Sequence, residues 1–122
     1  MSRADQLTKM VKTISTSIAD VEAAAIVDND GLLMASSLPQ EMENDSVAAM
    51  SAAMLGMSER IVSELRRGNF EVVMLRGGDG YVFIARCGPE AVLTLLANSK
   101  AKLGLVFLEA ARAAKEIARI VA

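Results

Sequence analysis

The chain has 122 residues, 52% of them hydrophobic and 23% charged, a length and balance that predict a single globular domain over residues 1–122. Its net charge is −2, and its 13 basic and 15 acidic residues are spread along the chain. Nucleic acids and anionic membranes bind clusters of Lys and Arg, and base stacking needs aromatic side chains, which make up only 3% of this chain. We therefore expect no nucleic-acid partner.

The sequence also lacks most of the residues that catalysis and metal binding need. Histidine is absent and Cys87 is the single cysteine, which removes the commonest general base, the usual nucleophile–base pairs, a zinc site and an internal disulfide. The N-terminal stretch MSRADQLTKMVK has no continuous apolar run of the kind found in secretory signals. We expect a cytoplasmic protein that is not an enzyme and that uses no metal or cofactor.

The first predicted elements are a helix and a β-hairpin. Apolar residues recur at three- and four-residue spacing near the N-terminus, which predicts a helix over residues 3–19 with Ser2 and Asp5 in a capping box. Residues 21–28 and 32–37 are short apolar runs on either side of the sequence DNDG, whose residues tolerate the positive φ of a tight turn.

A linker and a second helix come next. Pro39 breaks regular structure within SLPQEMEND, and Asn44 or Asp45 could cap the following helix. We expect that helix to end at Gly68, because glycine is common at helix C-termini. Its uncharged part, residues 46–58, is shorter than the ~20 apolar residues that span a membrane, so no membrane insertion is expected.

The last third of the chain predicts a second hairpin, a fifth strand and a final helix. Residues 69–76 and 80–87 are rich in β-branched and aromatic residues and flank a glycine-rich turn. Residues 91–98 indicate a strand, although their leucines alone could equally be helical. The final helix is expected to be capped by Asn98 or Ser99.

The predicted order is therefore α-β-β-α-β-β-β-α, an α+β fold with one five-stranded antiparallel sheet sandwiched between helices. Several strands are apolar on both of their alternating faces, whereas a strand with one wet face would alternate apolar and polar residues. We expect helices on both sides of the sheet.

Two short motifs invite a ligand-binding interpretation but lack the residues it requires. DNDG suggests a calcium-binding loop, yet Ile26 and Ser37 stand where that loop needs acidic residues. RGGDG suggests a phosphate-binding loop, yet neither Lys-Ser nor Lys-Thr follows it and the next element is a strand. Both motifs are better explained as hairpin turns.

The second helix divides into two faces when successive residues are placed about 100° apart. We expect a bulky stripe to pack on the sheet: Val47, Met50, Met54, Met57, Ile61 and Leu65. The opposite face is small in its first half, with Ala48, Ala49, Ala52, Ala53 and Gly56, and polar in its second half. The alanines could simply favour helix formation, or they could let another helix or protein approach closely. Gly56 favours the second interpretation, because glycine costs ~1 kcal/mol relative to alanine inside a helix.

The third strand raises a related question. Its sequence FEVVMLR is apolar on both faces and free of proline and lysine, so it would promote aggregation as an uncovered sheet edge. This strand is either internal or paired with a second copy of the chain.

Three stretches, AAAIVDNDGLLMASS, RGGDGYVFIARC and AKLGLVFLEAARAAKEIA, together with the order of the elements, resemble the Roadblock family. That family includes dynein light chains and bacterial and archaeal regulators of Ras-like small GTPases. The resemblance extends from about Leu7 to Ile120 and is carried by patterns of apolar and small residues. It implies a Roadblock, or profilin-like, arrangement, with the second helix on one face of the sheet and the first and third helices on the other.

The resemblance also implies a homodimer with the two second helices side by side and the third strands paired. The paired edge would consist of Phe70, Glu71, Val72, Val73, Met74 and Leu75. In relatives a small Ras-like GTPase docks on the paired second helices and its nucleotide cycle is altered. The corresponding docking residues here would be Ala49, Ala52, Ala53, Gly56, Arg60, Ser63 and Arg67.

Three alternatives remain open at this point. Arg60 or Arg67 could act as an arginine finger, although Arg60 can more simply pair with Glu64 four residues on. The protein could instead be a pure scaffold, an adaptor subunit of a motor or signalling complex with no effect on GTP hydrolysis. It could also be a small-molecule sensor, although few polar groups converge on the predicted core.

Overall fold

The computed structural model describes residues 1–122 and confirms the predicted order of elements. The elements are α1 Arg3–Ser17, β1 Val21–Asp28, β2 Leu33–Ser36, α2 Asn44–Glu64, β3 Val72–Gly77, β4 Gly80–Cys87, β5 Ala91–Asn98 and α3 Leu103–Val121. The five strands form one antiparallel sheet in the order β2-β1-β5-β4-β3. None of the helices has the length and hydropathy needed to cross a bilayer.

Helix α1 begins as the sequence predicts. The Ser2 hydroxyl accepts a hydrogen bond from the Asp5 backbone N–H at 3.1 Å, and the Asp5 carboxylate accepts one from the Ser2 N–H at 3.4 Å. This capping box satisfies two of the N–H groups that a helix leaves free at its start. The helix ends at Ser17, two residues before the predicted end, and Asp20 then turns the chain into β1 with a φ of 68°.

The predicted caps of α2 and α3 were wrong. Helix α2 begins at Asn44 itself, and the Asn44 side chain accepts a hydrogen bond from the Ser36 hydroxyl instead of capping the helix. Helix α3 begins only at Leu103, because Asn98 is the last residue of β5, where its side chain accepts from the Lys100 N–H and donates to Asp20. A polar side chain that has a partner elsewhere is not available as a cap.

The main hydrophobic core lies between the sheet and the pair α1 and α3. It contains 20 buried residues drawn from both helices and from β1, β2, β4 and β5. Phe83 of β4 packs edge-on against Phe107 of α3, with ring centroids 4.9 Å apart, an arrangement that aromatic pairs prefer. This face of the sheet accounts for most of the burial that stabilises the fold.

Helix α2 covers the other face through a narrow strip of mostly small side chains. The buried residues of α2 are Ala48, Ser51, Leu55 and Ser58. The Ser51 hydroxyl is hydrogen-bonded to the Thr94 hydroxyl of β5 at 2.7 Å, so this buried polar pair is satisfied. The sheet therefore has helices on both sides, as predicted, but the two sides differ greatly in the amount of apolar packing.

The predicted bulky stripe of α2 does not pack on the sheet as a unit. Its members Met50, Met57, Ile61 and Leu65 remain 61%, 58%, 50% and 64% exposed, whereas Ala48, assigned to the outer face, is fully buried. Because successive helical residues are about 100° apart, the true contact strip lies roughly a quarter turn from the stripe. The strip sits between the methionine side and the alanine side of the helix.

The close approach of α2 to the β1–β2 turn explains this rotation. A Cβ on Gly31, in that turn, would lie 3.5 Å from the Ala49 Cα and 3.6 Å from the Ala52 Cβ. Strand β1 also presents alanines to the interior, at residues 23–25. Small residues on both elements bring the backbones together, and the larger methionines are left at the side.

The β3–β4 hairpin contains a glycine whose replacement should be costly. A Cβ on Gly80 would overlap the carbonyl oxygen of Ala97 on β5, while a Cβ on Gly78 in the same turn would meet nothing within 4 Å. We expect Gly80→Ala to lower the free energy of unfolding by about 1–3 kcal/mol because the strands must separate locally. Gly78→Ala should change it by less than about 0.5 kcal/mol. Urea denaturation of both variants tests this, and equal stabilities would contradict the observed packing.

Candidate partner-binding surface

The seven predicted docking residues occur at three- and four-residue spacing, which gathers them on one side of α2 and its C-terminal extension. Six of them are exposed and Ala52 is half-buried. The set, called the alanine–arginine flank below, is Ala49, Ala52, Ala53, Gly56, Arg60, Ser63 and Arg67. Its first six members lie within α2, and Arg67 follows the helix end at Glu64.

The small residues of this flank have two different environments. Ala49 and Ala52 lie against Gly31, so their size serves the contact between α2 and the β1–β2 turn. Gly56 has open space around it, since a Cβ there would meet nothing within 4 Å. No internal contact offsets the ~1 kcal/mol that glycine costs in a helix.

The polar half of the flank carries weakly held charges. Arg60 pairs with Glu64 at 3.0 Å, and both side chains are largely exposed. Such surface pairs contribute only about 0.3–0.5 kcal/mol, so a partner could break this one at little cost. Arg67 and Ser63 are exposed as well.

Arg86, which the sequence analysis did not single out, links α2 to the end of the sheet. Its guanidinium donates to the side-chain oxygen of Asn29 at 2.5 Å and to the Pro89 carbonyl at 3.2 Å, and its Nε lies 3.8 Å from a carboxylate oxygen of Glu59. These contacts join the β1–β2 turn, the β4–β5 turn and the second half of α2. Arg86 therefore has a structural role in holding the helix that carries the flank.

Strand β3 is an edge of the sheet with unused hydrogen-bonding groups. The Glu71 carbonyl accepts from the Arg86 N–H, and Gly77 lies opposite Gly80 across the two-residue turn. Because antiparallel strands alternate the direction of their N–H and C=O groups, the odd-numbered residues of β3 bond to β4. The even-numbered residues, Val72, Met74 and Arg76, therefore direct their backbone groups to the open edge.

The predicted edge residues are not all equivalent. Val72 and Leu75 are 37% and 39% exposed, while Phe70 precedes the strand and is buried in a small core with Leu55. Glu71 is exposed. The unpaired edge thus begins two residues later than the sequence suggested.

An apolar groove of about 560 Å³ lies between α2 and the β3 side of the sheet. Its walls include Met50, Met54 and Met57 of α2 and Leu75, Val82 and Leu96 of the sheet. Ser51 and Thr94 also line it, but their hydroxyls bond to each other. The groove therefore offers contact for apolar side chains and almost nothing for a polar small molecule, and it continues to the unpaired edge of β3.

The single cysteine is inert in the folded protein. Burial raises the pKa of the Cys87 thiol from 9.0 to about 12, and the nearby Arg86 charge opposes that shift only partly. The thiol therefore stays protonated and unreactive at neutral pH. Because the folded-state pKa is the higher one, this group adds stability below pH 9 that is lost between pH 9 and about pH 12.

Residues 7–97 match the sequence model of the Roadblock/LC7 domain family. This match covers most of the chain, from within α1 through α2 and β1–β4 to the next-to-last residue of β5. The chain belongs to the Roadblock/LC7 family.

Individual proteins resemble this chain along most of its length. The uncharacterized protein MJ1340 of Methanocaldococcus jannaschii is 34% identical over 97 residues, which cover 80% of this chain and 84% of that protein. The structure of Myxococcus xanthus MglB superposes with a TM-score of 0.89 at 19% identity, covering 97% of this chain and 89% of that one. A Roadblock/LC7 domain from Streptomyces avermitilis superposes with a TM-score of 0.86 at 16% identity, covering 93% of this chain and 96% of that one. The two structural likenesses establish the shared fold.

In this Roadblock/LC7 chain, the apolar groove was not predicted, because the methionines of α2 were expected to pack in the core. A signal for the correct assignment was present. Ala48, Ser51 and Ser58 are small, are spaced along one side of α2, and match the three consecutive alanines at residues 23–25 of β1. A strip of small residues opposite a strand of small residues indicates close packing, whereas long methionines suit an adaptable surface.

Proposed function

We propose that this Roadblock/LC7 chain is a non-enzymatic homodimeric regulator that binds a small Ras-like GTPase through its paired α2 helices and modulates the nucleotide cycle of that GTPase. The observation that carries the proposal is that α2 leaves both of its sides open next to an unpaired β3 edge. The methionine side can receive a second copy, and the alanine–arginine flank can receive another protein. The family resemblance supports both contacts.

The dimer proposed here pairs β3 with its own copy. Symmetric dimers use the same patch on both chains, and an antiparallel strand pair about a two-fold axis meets that requirement. If the two-fold axis passes between the two copies of Met74, all three outward-facing residues of β3 form backbone hydrogen bonds to the partner strand. Val72 then lies opposite the partner's Arg76. On the α2 face the same register sets Val73 opposite the partner's Leu75, an apolar pair. If the register shifts by one pairing step in one direction, Leu75 lies opposite the partner's Glu71. If it shifts by one step in the other direction, Val73 lies opposite the partner's Gly77. Each shift therefore replaces the apolar pair of Val73 and Leu75.

The same pairing brings each α2 toward the partner's apolar groove. Fully burying a large apolar side chain contributes about 1.5–3 kcal/mol, and α2 carries several that are half exposed or more. Together with the backbone hydrogen bonds of β3, this burial can stabilise a dimer. It also removes an exposed apolar patch and an open sheet edge, both of which promote aggregation.

The GTPase would then rest on the outer surface of the paired helices. Ala53 and Gly56 allow a close approach, and Arg60 and Arg67 form a charged rim. The chain would change the nucleotide cycle by favouring one arrangement of the mobile loops of the GTPase, which is a binding effect on another enzyme. Arg60 is assigned to the rim because it already pairs with Glu64.

The proposed dimer register predicts selective cross-linking. Two Met74 residues facing each other as a hydrogen-bonded pair would have Cα atoms about 5.5 Å apart, a distance that suits a disulfide. We expect Met74→Cys to give a covalent dimer on mild oxidation, seen on a non-reducing gel. Leu75→Cys should not form a covalent dimer, because residue 75 lies opposite the partner's Val73, two residues from the partner's own residue 75. Cys87 is buried, so it should not form an intermolecular disulfide in either variant. A wild-type chain that sediments as a monomer, or equal cross-linking of both variants, would contradict the pairing.

The proposed function predicts a change in the nucleotide cycle of the Ras-like GTPase from the same organism. Single-turnover GTP hydrolysis or nucleotide exchange should change when the chain is added, and the double variant Gly56→Glu with Arg67→Glu should weaken binding at least tenfold, about 1.4 kcal/mol. Both positions are exposed, so the variant should remain folded and dimeric. Lys12→Glu, on the opposite side of the sheet, is the matched control and should bind normally.

Each outcome of that assay is informative. Binding without any change in hydrolysis or exchange would replace the regulator by a pure scaffold. Undiminished binding by the double variant would show that the docking surface lies elsewhere.

A further inference from the structure

The positive charge of the chain is concentrated on the side of the sheet that α1 and α3 cover. Residues 1–20 and 99–122, which form these two helices and the turns next to them, contain eight basic and four acidic residues, a net charge of +4. Residues 21–98 contain five basic and eleven acidic residues, a net charge of −6. The basic residues of the two terminal segments are far apart in sequence, and folding brings them onto one side of the molecule.

The cations on this side are largely free of partners. Glu109 and Glu116 pair with Arg112 and Arg119, at 3.0 Å and 2.7 Å, and Asp5 caps the start of α1. Six exposed basic side chains form no salt bridge: Arg3, Lys9, Lys12, Lys100, Lys102 and Lys115. They include every lysine of the chain. These positive charges therefore remain available to an anionic partner.

The outward side of α3 combines such charges with exposed apolar side chains. Leu105 and Leu108 are 42% and 49% exposed. They continue at three- and four-residue spacing into Arg112, Lys115 and Arg119, so the five side chains form one stripe along the helix. This stripe lies opposite the buried residues of α3 and points away from the sheet.

Helix α1 adds two lysines to the same outward surface. Lys9 and Lys12 lie on the side of α1 away from its buried residues. Because α1 and α3 pack on one face of the sheet and against each other, their outward sides form a single broad surface. This surface, called the basic face below, consists of Lys9, Lys12, Leu105, Leu108, Arg112, Lys115 and Arg119.

We propose that the basic face docks the protein on a membrane that contains anionic phospholipids. The lysine ammonium groups would lie among the lipid phosphates, and Leu105 and Leu108 would enter the boundary between headgroups and acyl chains. The chain would lie on the bilayer without crossing it. Neither GTPase binding nor β3 pairing is needed for this docking.

The composition of the basic face favours a lipid surface over other anionic partners. Lysine is depleted at protein–protein interfaces, and fixing its long side chain costs conformational entropy, whereas fluid lipids can rearrange around mobile lysines. A nucleic acid would leave Leu105 and Leu108 without an apolar contact, and the face includes none of the four aromatic residues of the chain. Free lysines beside exposed leucines are the combination that interfacial helices use.

The charge of the remainder of the chain would orient the protein on the membrane. An anionic surface attracts the basic face and repels the rest, which has a net charge of −6. If β3 pairs as proposed above, the two-fold axis is perpendicular to the sheet and keeps α1 and α3 of both copies on the same side. Two basic faces would then meet one membrane, and the alanine–arginine flanks would face away from it.

Co-sedimentation with lipid vesicles tests this docking in the absence of any GTPase. The probes are vesicles of phosphatidylcholine alone and vesicles of an equal mixture of phosphatidylcholine and phosphatidylglycerol. We expect the full chain to bind the anionic vesicles about tenfold or more tightly than the neutral ones. Raising the salt concentration from about 0.1 M to about 1 M should release it, because the screening length falls from about 10 Å to about 3 Å.

A pair of charge-matched variants localises the contact. Lys12→Gln with Lys115→Gln should weaken binding to the anionic vesicles about tenfold or more, because two cations of the basic face are lost. Arg60→Gln with Arg66→Gln removes the same charge from the α2 side and should leave vesicle binding unchanged. All four side chains are exposed, so both variants should remain folded, as circular dichroism would verify.

A third variant tests the apolar part of the contact. Leu105→Ser with Leu108→Ser should weaken binding to the anionic vesicles about tenfold, since two partly exposed leucines would no longer leave water on docking. Full binding by this variant would contradict leucine insertion and overturn the proposed contact.

Three results would overturn membrane docking. They are no binding to the anionic vesicles, equal binding to both kinds of vesicle, and an equal effect of the lysine variant and its arginine control. A chain that ignores vesicles but binds polyglutamate or polyuridylic acid would assign the basic face to an acidic protein or to a nucleic acid instead. Because no GTPase is present, none of these results bears on the proposed regulation of a GTPase.

Discussion

The contact between α2 and the sheet is made by small side chains, and the remainder of the exposed surface follows from it. Ala48 and Ser51 bring the helix close to an alanine-rich β1, and Ser51 is fixed by its hydrogen bond to Thr94. At that distance the methionines cannot enter the interface and remain at the side of the helix. An apolar groove beside β3 is the direct result, because a narrow helix contact covers only part of a five-stranded sheet.

The two faces of the sheet consequently have different roles. The α1 and α3 face holds the large core that stabilises the fold, including Phe83 and Phe107. The α2 face contributes less burial and carries the surfaces proposed for self-association and for the GTPase. In a Roadblock/LC7 chain this division lets a binding surface change with little effect on stability, since few buried residues are shared between the two.

Much of the fold was predictable because it depends on local signals. Periodicity, turn residues and the Ser2–Asp5 capping box gave the element order and the start of α1, and antiparallel pairing followed from the two hairpins. The orientation of α2 was not predictable in the same way. Met50 and Met57 are more hydrophobic than Ala48 and would be expected in the core. Gly31 and the alanines of β1 instead bring the backbone of α2 so close to β1 and its turn that only small side chains fit between them.

The candidate site was predictable to a similar degree. Six residues of the alanine–arginine flank are exposed and Ala52 is half-buried, as polar residues in the second half of that side indicated. Ala48, which was predicted to lie on the same face, is buried. Arg86 was missed because its partners Asn29 and Glu59 lie on elements far from it in sequence and meet it only in the folded chain. The groove was not predicted because the methionines that form one of its walls were assigned to the core.

The central claim is that β3 is not a free edge in solution but is paired with a second copy of itself. Native-state hydrogen exchange of the individual backbone amides measures this directly. In an isolated chain the N–H groups of Val72, Met74 and Arg76 face solvent, whereas those of Val73 and Leu75 bond to β4. Pairing predicts that all five amides exchange slowly, with the Met74 amide protected as strongly as its neighbours. Fast exchange at Val72, Met74 and Arg76, beside slow exchange at Val73 and Leu75, would contradict the account.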